Sequence, residues 1–327
     1  MKKFINDVES VMRESLGGMV DAHPGLLRVE FEPTFVARAE RAEKKVALLS
    51  GGGSGHEPLH AGFVGRGMLD AACAGQVFTS PTPDQILGAA SAVHSGQGVL
   101  LIVKNYSGDL MNFQMASEMM ELENATVLVN DDVAVENSTH TTGRRGVAGT
   151  VMVEKMVGAA AEAGATLLEC KALGDRVNAA TASMGVAFTS CTVPAAGRTT
   201  FDIGDDEMEI GVGIHGEPGR RREKIKPASL IVDELMRAIL ADLKPGRGRE
   251  LLLHVNGFGG TPLMELYLLY HCAARRLRDE GLVPVRSLVG NYTTALEMAG
   301  ASLTVTLLDD ELKSLWDAPV HTAALHW

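Results

Sequence analysis

Lys45–Pro58, KVALLSGGGSGHEP, is the stretch on which the reading of this chain turns. Its first half, Lys45–Ser50, is a short, unbroken apolar run, the pattern of a strand covered on both faces of a parallel sheet. Two further runs repeat that pattern, Val99–Lys104 (VLLIVK) and Ala125–Asn130 (ATVLVN). Between them the spacing predicts helices over Pro83–Val93, where Pro83 after Thr82 suits a first turn, and over Asp109–Leu122. Another helix is predicted over Gly146–Ala163, with Gly164 as its C-terminal cap. Strands and helices alternating in this way give a mostly parallel sheet with helices on both faces.

The pattern changes near Ala180–Gly185. Val186–Val193 and Met208–Ile214 alternate as strands, Ser229–Leu243 reads as a helix and Leu251–Val255 as a strand. Thr261 is placed to cap the next helix, Pro262 to open it and Gly281 to end it. Strands at Val283–Val289 and Ser302–Leu308 complete a ββαβαβ order. The expected fold is therefore α/β, with residues 1–183 as the parallel-sheet domain and 184–327 as a smaller α+β domain.

A chain of 327 residues is long enough for two domains. With 46 % hydrophobic and 22 % charged residues it has ordinary globular composition, not that of a disordered chain. Its net charge of −11 offers no electrostatic footprint for nucleic acid or an anionic membrane. No run approaches the roughly 18 apolar residues of a membrane span, and the opening Lys2–Asp7 turns acidic before a signal core could form. A soluble, cytoplasmic protein is expected. The four cysteines (Cys73, Cys170, Cys191, Cys272) form no C-x-x-C pair, so reduced thiols are expected and a structural zinc site is not.

Three polar segments stand out. Ser50–Pro58 brings glycine backbone close to whatever lies above it, but it lacks the Gly-Lys-Ser/Thr of a P-loop. Pro58 spoils the dinucleotide fingerprint, and His56 stands where a nucleophile elbow needs glycine. His56–His60 spells H-E-x-x-H, yet Pro58 would leave His56 ahead of any helix carrying His60, so zinc is not expected. A glycine turn with a capping histidine is the plainer alternative. Lys104–Asp109 (KNYSGD) leaves the carboxyl end of a parallel strand, where open α/β sheets bind ligands. The alternative there is a solvated Lys104 and a helix-capping Asp109. Gly211–Gly219 (GVGIHGEPG) frames His215 with glycines, and a solvated hairpin histidine is the competing reading. Glu217 and Arg220 read as a surface ion pair. Asn130–Asp132 could hold Mg²⁺ or serve as turn and capping residues. Asn256–Gly260 is a glycine-rich turn open to a ligand or to another subunit. His23, His94, His140, His254, His271, His321 and His326 have no ligand spacing.

Together these segments resemble the dihydroxyacetone-binding subunit of bacterial dihydroxyacetone kinase. The resemblance runs nearly end to end, through Lys2–Asp7, Lys45–Pro58, Phe78–Asp84 (FTSPTPD), Lys104–Asp109, Asp131–Val135 (DDVAV), Gly143–Val147 (GRRGV), Cys191–Gly197 (CTVPAAG), Met208–Gly219 and Trp316–Thr322 (WDAPVHT). It implies that His215 adds to the substrate ketone as a covalent hemiaminal, that His56 is the general base and that Asp109 is its acidic companion. Gly53, Ser54, Gly55 and Lys104, with those three, take substrate-binding positions. It implies no cofactor on this chain. ADP and Mg²⁺ come on a helical partner subunit, recharged by a phosphoprotein of the phosphoenolpyruvate sugar-transport relay. A homodimer is expected. Two other readings stay open: a different short ketose such as erythrulose, or a dihydroxyacetone-sensing transcriptional coactivator.

Overall fold

A computed structural model describes residues 2–135 and 143–327. In chain order the first elements are α1 (Val11–Ala22), β1 (Leu27–Phe31), β2 (Thr34–Arg38), β3 (Ala47–Ser54), β4 (Gly65–Arg66), β5 (Ala71–Val77), α2 (Pro83–Val93), β6 (Val99–Lys104), α3 (Ser107–Met119) and β7 (Asn124–Val129). Next come α4 (Gly149–Glu162), α5 (Leu167–Ala179), β8 (Thr181–Ala187), β9 (Thr192–Val193), β10 (Arg198–Thr199), β11 (Glu207–Ile210) and β12 (Arg221–Lys224). The last are α6 (Ala228–Leu243), β13 (Glu250–Gly257), α7 (Leu263–Asp279), β14 (Val283–Gly290), β15 (Gly300–Leu307), α8 (Asp310–Asp317) and β16 (His321–Thr322).

The first sheet has the order β1-β2-β5-β3-β6-β7, in which β5, β3, β6 and β7 pair in parallel. Its central strands are buried on both faces, which is why they are unbroken apolar runs. Alternate residues serve opposite layers. Leu100 and Ile102 pack with α4 and α5, while Val99, Leu101 and Val103 pack with α2 and α3. The parallel register brings the carboxyl ends of β3, β5, β6 and β7 to one edge.

The second sheet, β12-β11-β8-β15-β13-β14, is antiparallel except for its β13–β14 pair. Helices α6 and α7 cover it with Ile231, Leu235, Ile239, Leu266, Ala273 and Leu277. The change of sheet falls at Thr181 rather than at 183, since Ser183 lies inside β8 opposite Thr304. The chain then returns: β16 pairs with β4, and Trp316, Val320 and Leu325 join the core of the first sheet. Residues 309–327 thus pack with the first unit, although the sequence division assigns them to the second.

Other differences have local causes. The strand expected over 186–193 stops at Ala187 because the amides of Phe188 and Thr189 both turn to the Ala299 carbonyl. The one expected over 208–214 stops at Ile210, where Gly211 takes φ +81°, a conformation closed to most residues. Thr261 does not cap α7; its hydroxyl donates to the Gly300 carbonyl and accepts from the Gly300 amide. Helix α5, opened by a reciprocal Thr166–Glu169 cap, and strand β12 were not foreseen.

Helix α4 is buried from Gly149 to Ala161, and Gly158 lets it touch backbone. A Cβ at 158 would lie 2.3 Å from the Gly67 carbonyl oxygen and 2.5 Å from the Met68 Cα. Alanine is the better helix former by about 1 kcal/mol, but backbone cannot give way as a side chain can. Gly158→Ala should therefore lower stability by roughly 1–3 kcal/mol, read as a lower urea midpoint; an unchanged or higher midpoint would show that propensity prevails.

Candidate functional site

The site lies where loops of the two sheets meet. The first sheet supplies the turns after β3, β5 and β6 at its carboxyl edge. The second supplies residues 211–220, between β11 and β12, and 291–299, between β14 and β15. An apolar cluster of Val147, Val212, Ile214, Phe258, Ala295 and Met298 backs both.

His56 is 1 % exposed. Its Nδ1 lies 2.7 Å from the Thr294 carbonyl oxygen, which can only accept, so Nδ1 carries the proton and donates. Nε2 then holds a lone pair, buried and without a partner among the described residues. Burial above all, with His215 and Lys104 adding, holds His56 well below the ordinary histidine range. The ring stacks on Phe78, with centroids 5.0 Å apart, and meets His215 edge-on at 4.6 Å.

His215 sits among aromatic rings, 4.6 Å from Tyr106 and 5.2 Å from Phe78. Its Nδ1 is 2.9 Å from Glu217 Oε1, and its backbone amide donates to Glu217 Oε2 at 3.0 Å. Burial pushes the Glu217 carboxyl up, but the hydrogen bond and charge of His215, with the Arg145 guanidinium, outweigh it and hold it at about 2. A carboxylate that stays ionised fixes the proton on Nδ1 and leaves Nε2 as the open nitrogen. Glu217 is therefore the partner of His215, while Arg220 donates to the carbonyls of Val133 and Ala134.

Lys104 is buried and donates to the Gly51 carbonyl at 3.2 Å and to His60 Nε2 at 2.8 Å. Its ammonium is 3.6 Å from Asp109 Oδ2. A Cβ at Gly52 would stand 2.4 Å from Lys104 Nζ, so glycine there makes room for the charge. Asp109 is buried in the first turn of α3 and accepts from Ser80 Oγ at 2.5 Å. Gly53 packs against the backbone of Phe78 and Thr79. Two of the other expected contacts are engaged within the chain: Ser54 Oγ donates to the Gly75 carbonyl at 2.7 Å, and the Gly55 amide donates to the Glu57 carboxylate at 3.0 Å.

The structure thus brings His56, Lys104, Asp109 and His215 to one edge, beside Gly53, Ser54 and Gly55. Sequence reasoning missed Thr294, Ser80 and the Phe78–Tyr106 ring cage. Phe78, Ser80 and Tyr106 stand in stretches quoted for the resemblance, but Thr294 carries no sequence signal. Asp131 and Asp132 are capping and ion-pair residues. Asp131 accepts from the amides of Val147 and Gly149 at 2.8 and 2.7 Å, and Asp132 pairs with Arg145 at 2.7 Å. No three His, Cys, Asp or Glu side chains gather as a metal-ligand set among the described residues. His140 lies outside those residues. All four cysteines are free, and among the described residues no helix is long and apolar enough to cross a membrane.

The Dak1 domain matches residues 17–324. The chain belongs to the Dak1 family. It is 51 % identical to the dihydroxyacetone-binding subunit of PTS-dependent dihydroxyacetone kinase 1 of Listeria innocua, covering 95 % of each chain. It is 47 % identical to the dihydroxyacetone-binding subunit of the PEP-dependent dihydroxyacetone kinase of Escherichia coli K12, over 100 % of this chain and 99 % of that one. Its fold is also similar to that of a solved dihydroxyacetone kinase operon co-activator, with a TM-score of 0.89 and 35 % identity over 95 % of this chain and 96 % of that one. The Dak1 fold is thus shared by a protein named as a co-activator and is not by itself diagnostic of an enzyme.

The cause of the His56 shift yields a test. Replacing His215 with alanine removes a neighbour that disfavours the His56 cation and admits water, and both changes favour the imidazolium. His56 should then protonate at higher pH in His215→Ala than in the parent, as read from ring-nitrogen NMR shifts. Protonation at the same pH in both would mean that His215 does not act on it.

Proposed function

We propose that this chain is the substrate-binding subunit of a dihydroxyacetone kinase, which holds dihydroxyacetone covalently on His215 and presents its hydroxyl to a phosphoryl donor on a partner subunit. One observation carries the reading. Two histidines, each with Nδ1 facing an acceptor, meet with ring centroids 4.6 Å apart, and Lys104, whose charge acts on His56, lies 3.6 Å from Asp109. The names of the close relatives agree with it.

The chemistry follows from the geometry. The His215 Nε2 lone pair adds to the ketone carbon, and the carbonyl π pair moves onto oxygen. One proton leaves Nδ1 and one arrives on the former carbonyl oxygen, giving a neutral hemiaminal. While the ring is cationic, Glu217 stabilises it. So small a ligand offers few atoms for noncovalent contact, so a reversible bond adds affinity. It also excludes glycerol, which has no carbonyl. At the other end, His56 Nε2 takes the hydroxyl proton as that oxygen attacks phosphorus and the bond to ADP breaks. Lys104 and Asp109 hold the substrate's oxygens in place.

Nucleotide and Mg²⁺ belong, on this reading, to the helical partner, recharged in turn by a phosphoprotein of the sugar-transport relay. The glycine-rich loop supports this: the Glu57 carboxylate already occupies the Gly55 amide that a phosphate would need. A protein of this kind works in the cytoplasm, in keeping with four free thiols.

Calorimetry with dihydroxyacetone, erythrulose and glycerol tests the binding half. Saturable binding of a ketose but not of glycerol, lost in His215→Ala, is expected; glycerol bound as well as the ketone would sink the covalent reading. Phosphoryl transfer with the ADP-bearing partner tests the other half. His56→Ala should keep ketone binding and lose about 10²–10⁴-fold in turnover. Ketone binding with no transfer by the parent protein would place it with the coactivators.

A further inference from the structure

His60, the second histidine of the H-E-x-x-H stretch, takes no part in the chemistry above, yet it is buried directly behind Lys104. Its Nε2 is 2.8 Å from Lys104 Nζ, and its Nδ1 is 2.7 Å from Glu154 Oε1 and 3.0 Å from Ser50 Oγ. Ser50 Oγ donates to the Ile102 carbonyl at 2.7 Å, so toward His60 it accepts. Glu154 lies in the middle of α4, fully buried, and its Oε2 has no partner among the described residues. A carboxylate so deep in a helix core is out of place unless something employs it.

Donor counting shows what that is. An ammonium has three N–H donors and accepts nothing. Lys104 directs one to the Gly51 carbonyl and one to His60 Nε2, which leaves one for the Asp109 side of the pocket. Facing an ammonium, Nε2 must present its lone pair, so the ring proton must sit on Nδ1 and needs an acceptor there. Glu154 Oε1 is that acceptor whether or not Oε2 carries a proton. Burial first, then Lys104 and His56, hold His60 well below the ordinary histidine range, so the ring stays neutral. Burial likewise pushes the Glu154 carboxyl up to about 8, against the pull of Lys104 and Ser50.

We propose that His60 and Glu154 are positioning residues of the substrate pocket: Glu154 holds His60 in the tautomer whose Nε2 accepts from Lys104, and this fixes Lys104 with its remaining N–H toward Asp109 and the bound keto-alcohol. The proposal rests on Lys104 being a substrate-binding group.

A double-mutant cycle on dihydroxyacetone affinity tests it. His60→Leu removes an acceptor from a charged donor and should weaken binding about tenfold. His60→Gln, whose amide oxygen can accept from Lys104, should restore most of that loss. On a Lys104→Met background, His60→Leu should add nothing, because its whole effect passes through Lys104. Glu154→Gln, which keeps an oxygen for Nδ1, should cost less affinity than Glu154→Leu. Additive losses in the cycle, or no restoration by His60→Gln, would overturn the proposal by reducing His60 to a packing residue.

Ring-nitrogen NMR of the ligand-free chain separates this from the functional reading. His60 protonated on Nδ1 with Nε2 an acceptor, and a shift of Nε2 in Lys104→Met, supports the proposed chain of hydrogen bonds even if no ketose binds. His60 protonated on Nε2 overturns it even if ketose binding is intact.

Discussion

A clasp between two loops holds the site together. The Gly55 carbonyl accepts from the Leu296 amide at 2.9 Å, the His56 carbonyl accepts from the Thr294 amide at 3.2 Å, and the Thr294 carbonyl accepts from His56 Nδ1 at 2.7 Å. His56 comes from the first sheet, whereas Thr294 and His215 come from the second. The closeness of the two rings is therefore a property of the junction and not of either sheet. The clasp also selects the tautomer of His56, so one set of hydrogen bonds fixes position and proton together.

Around the clasp the molecule solves a problem of buried charge. Lys104, Asp109, Asp131, Asp132 and Arg145 are all nearly inaccessible to solvent, and an unpaired charge in such surroundings costs several kcal/mol. Each is met by fixed dipoles or by an opposite charge. Asp131 receives the amides that open α4, where a negative group also suits the helix dipole. Arg145 spans Asp132 and the Gly211 carbonyl, which braces the loop that carries Glu217 and His215. Such groups are pre-oriented before substrate arrives, the condition under which electrostatics speeds a phosphoryl transfer.

The parallel sheet was legible because burial on both faces leaves a pattern that few other structures share. Pro83–Val93 and Val99–Lys104 were placed to the residue, since a proline start and an unbroken apolar run are local signals. The second sheet was blurred where strands end at single backbone events, such as the turn of Phe188 and Thr189 toward Ala299. His56, Lys104, Asp109 and His215 could be singled out because glycine-rich turns and strand ends are where polar residues have work to do. Their partners could not. Thr294 acts through a carbonyl that any residue would supply, and Glu154, followed by Lys155, reads in sequence as an ordinary helix charge and not as the partner of a buried histidine. Glu217 was in view, but Arg220, three residues on, offered it a more obvious partner than the histidine two residues before it.

The return of the last residues to the first sheet has a consequence for how the protein is made. Trp316, Val320 and Leu325 fill a core whose other walls are laid down mainly by residues 16–177, with Leu252, Leu288, Leu308 and Leu312 added later in the chain. Chains generally fold domain by domain, the amino-terminal part first, as they leave the ribosome. Here the earliest-made sheet is the last to be sealed. Its core waits, partly uncovered, until the second sheet has been synthesised and the closing strand has paired with Gly65–Arg66.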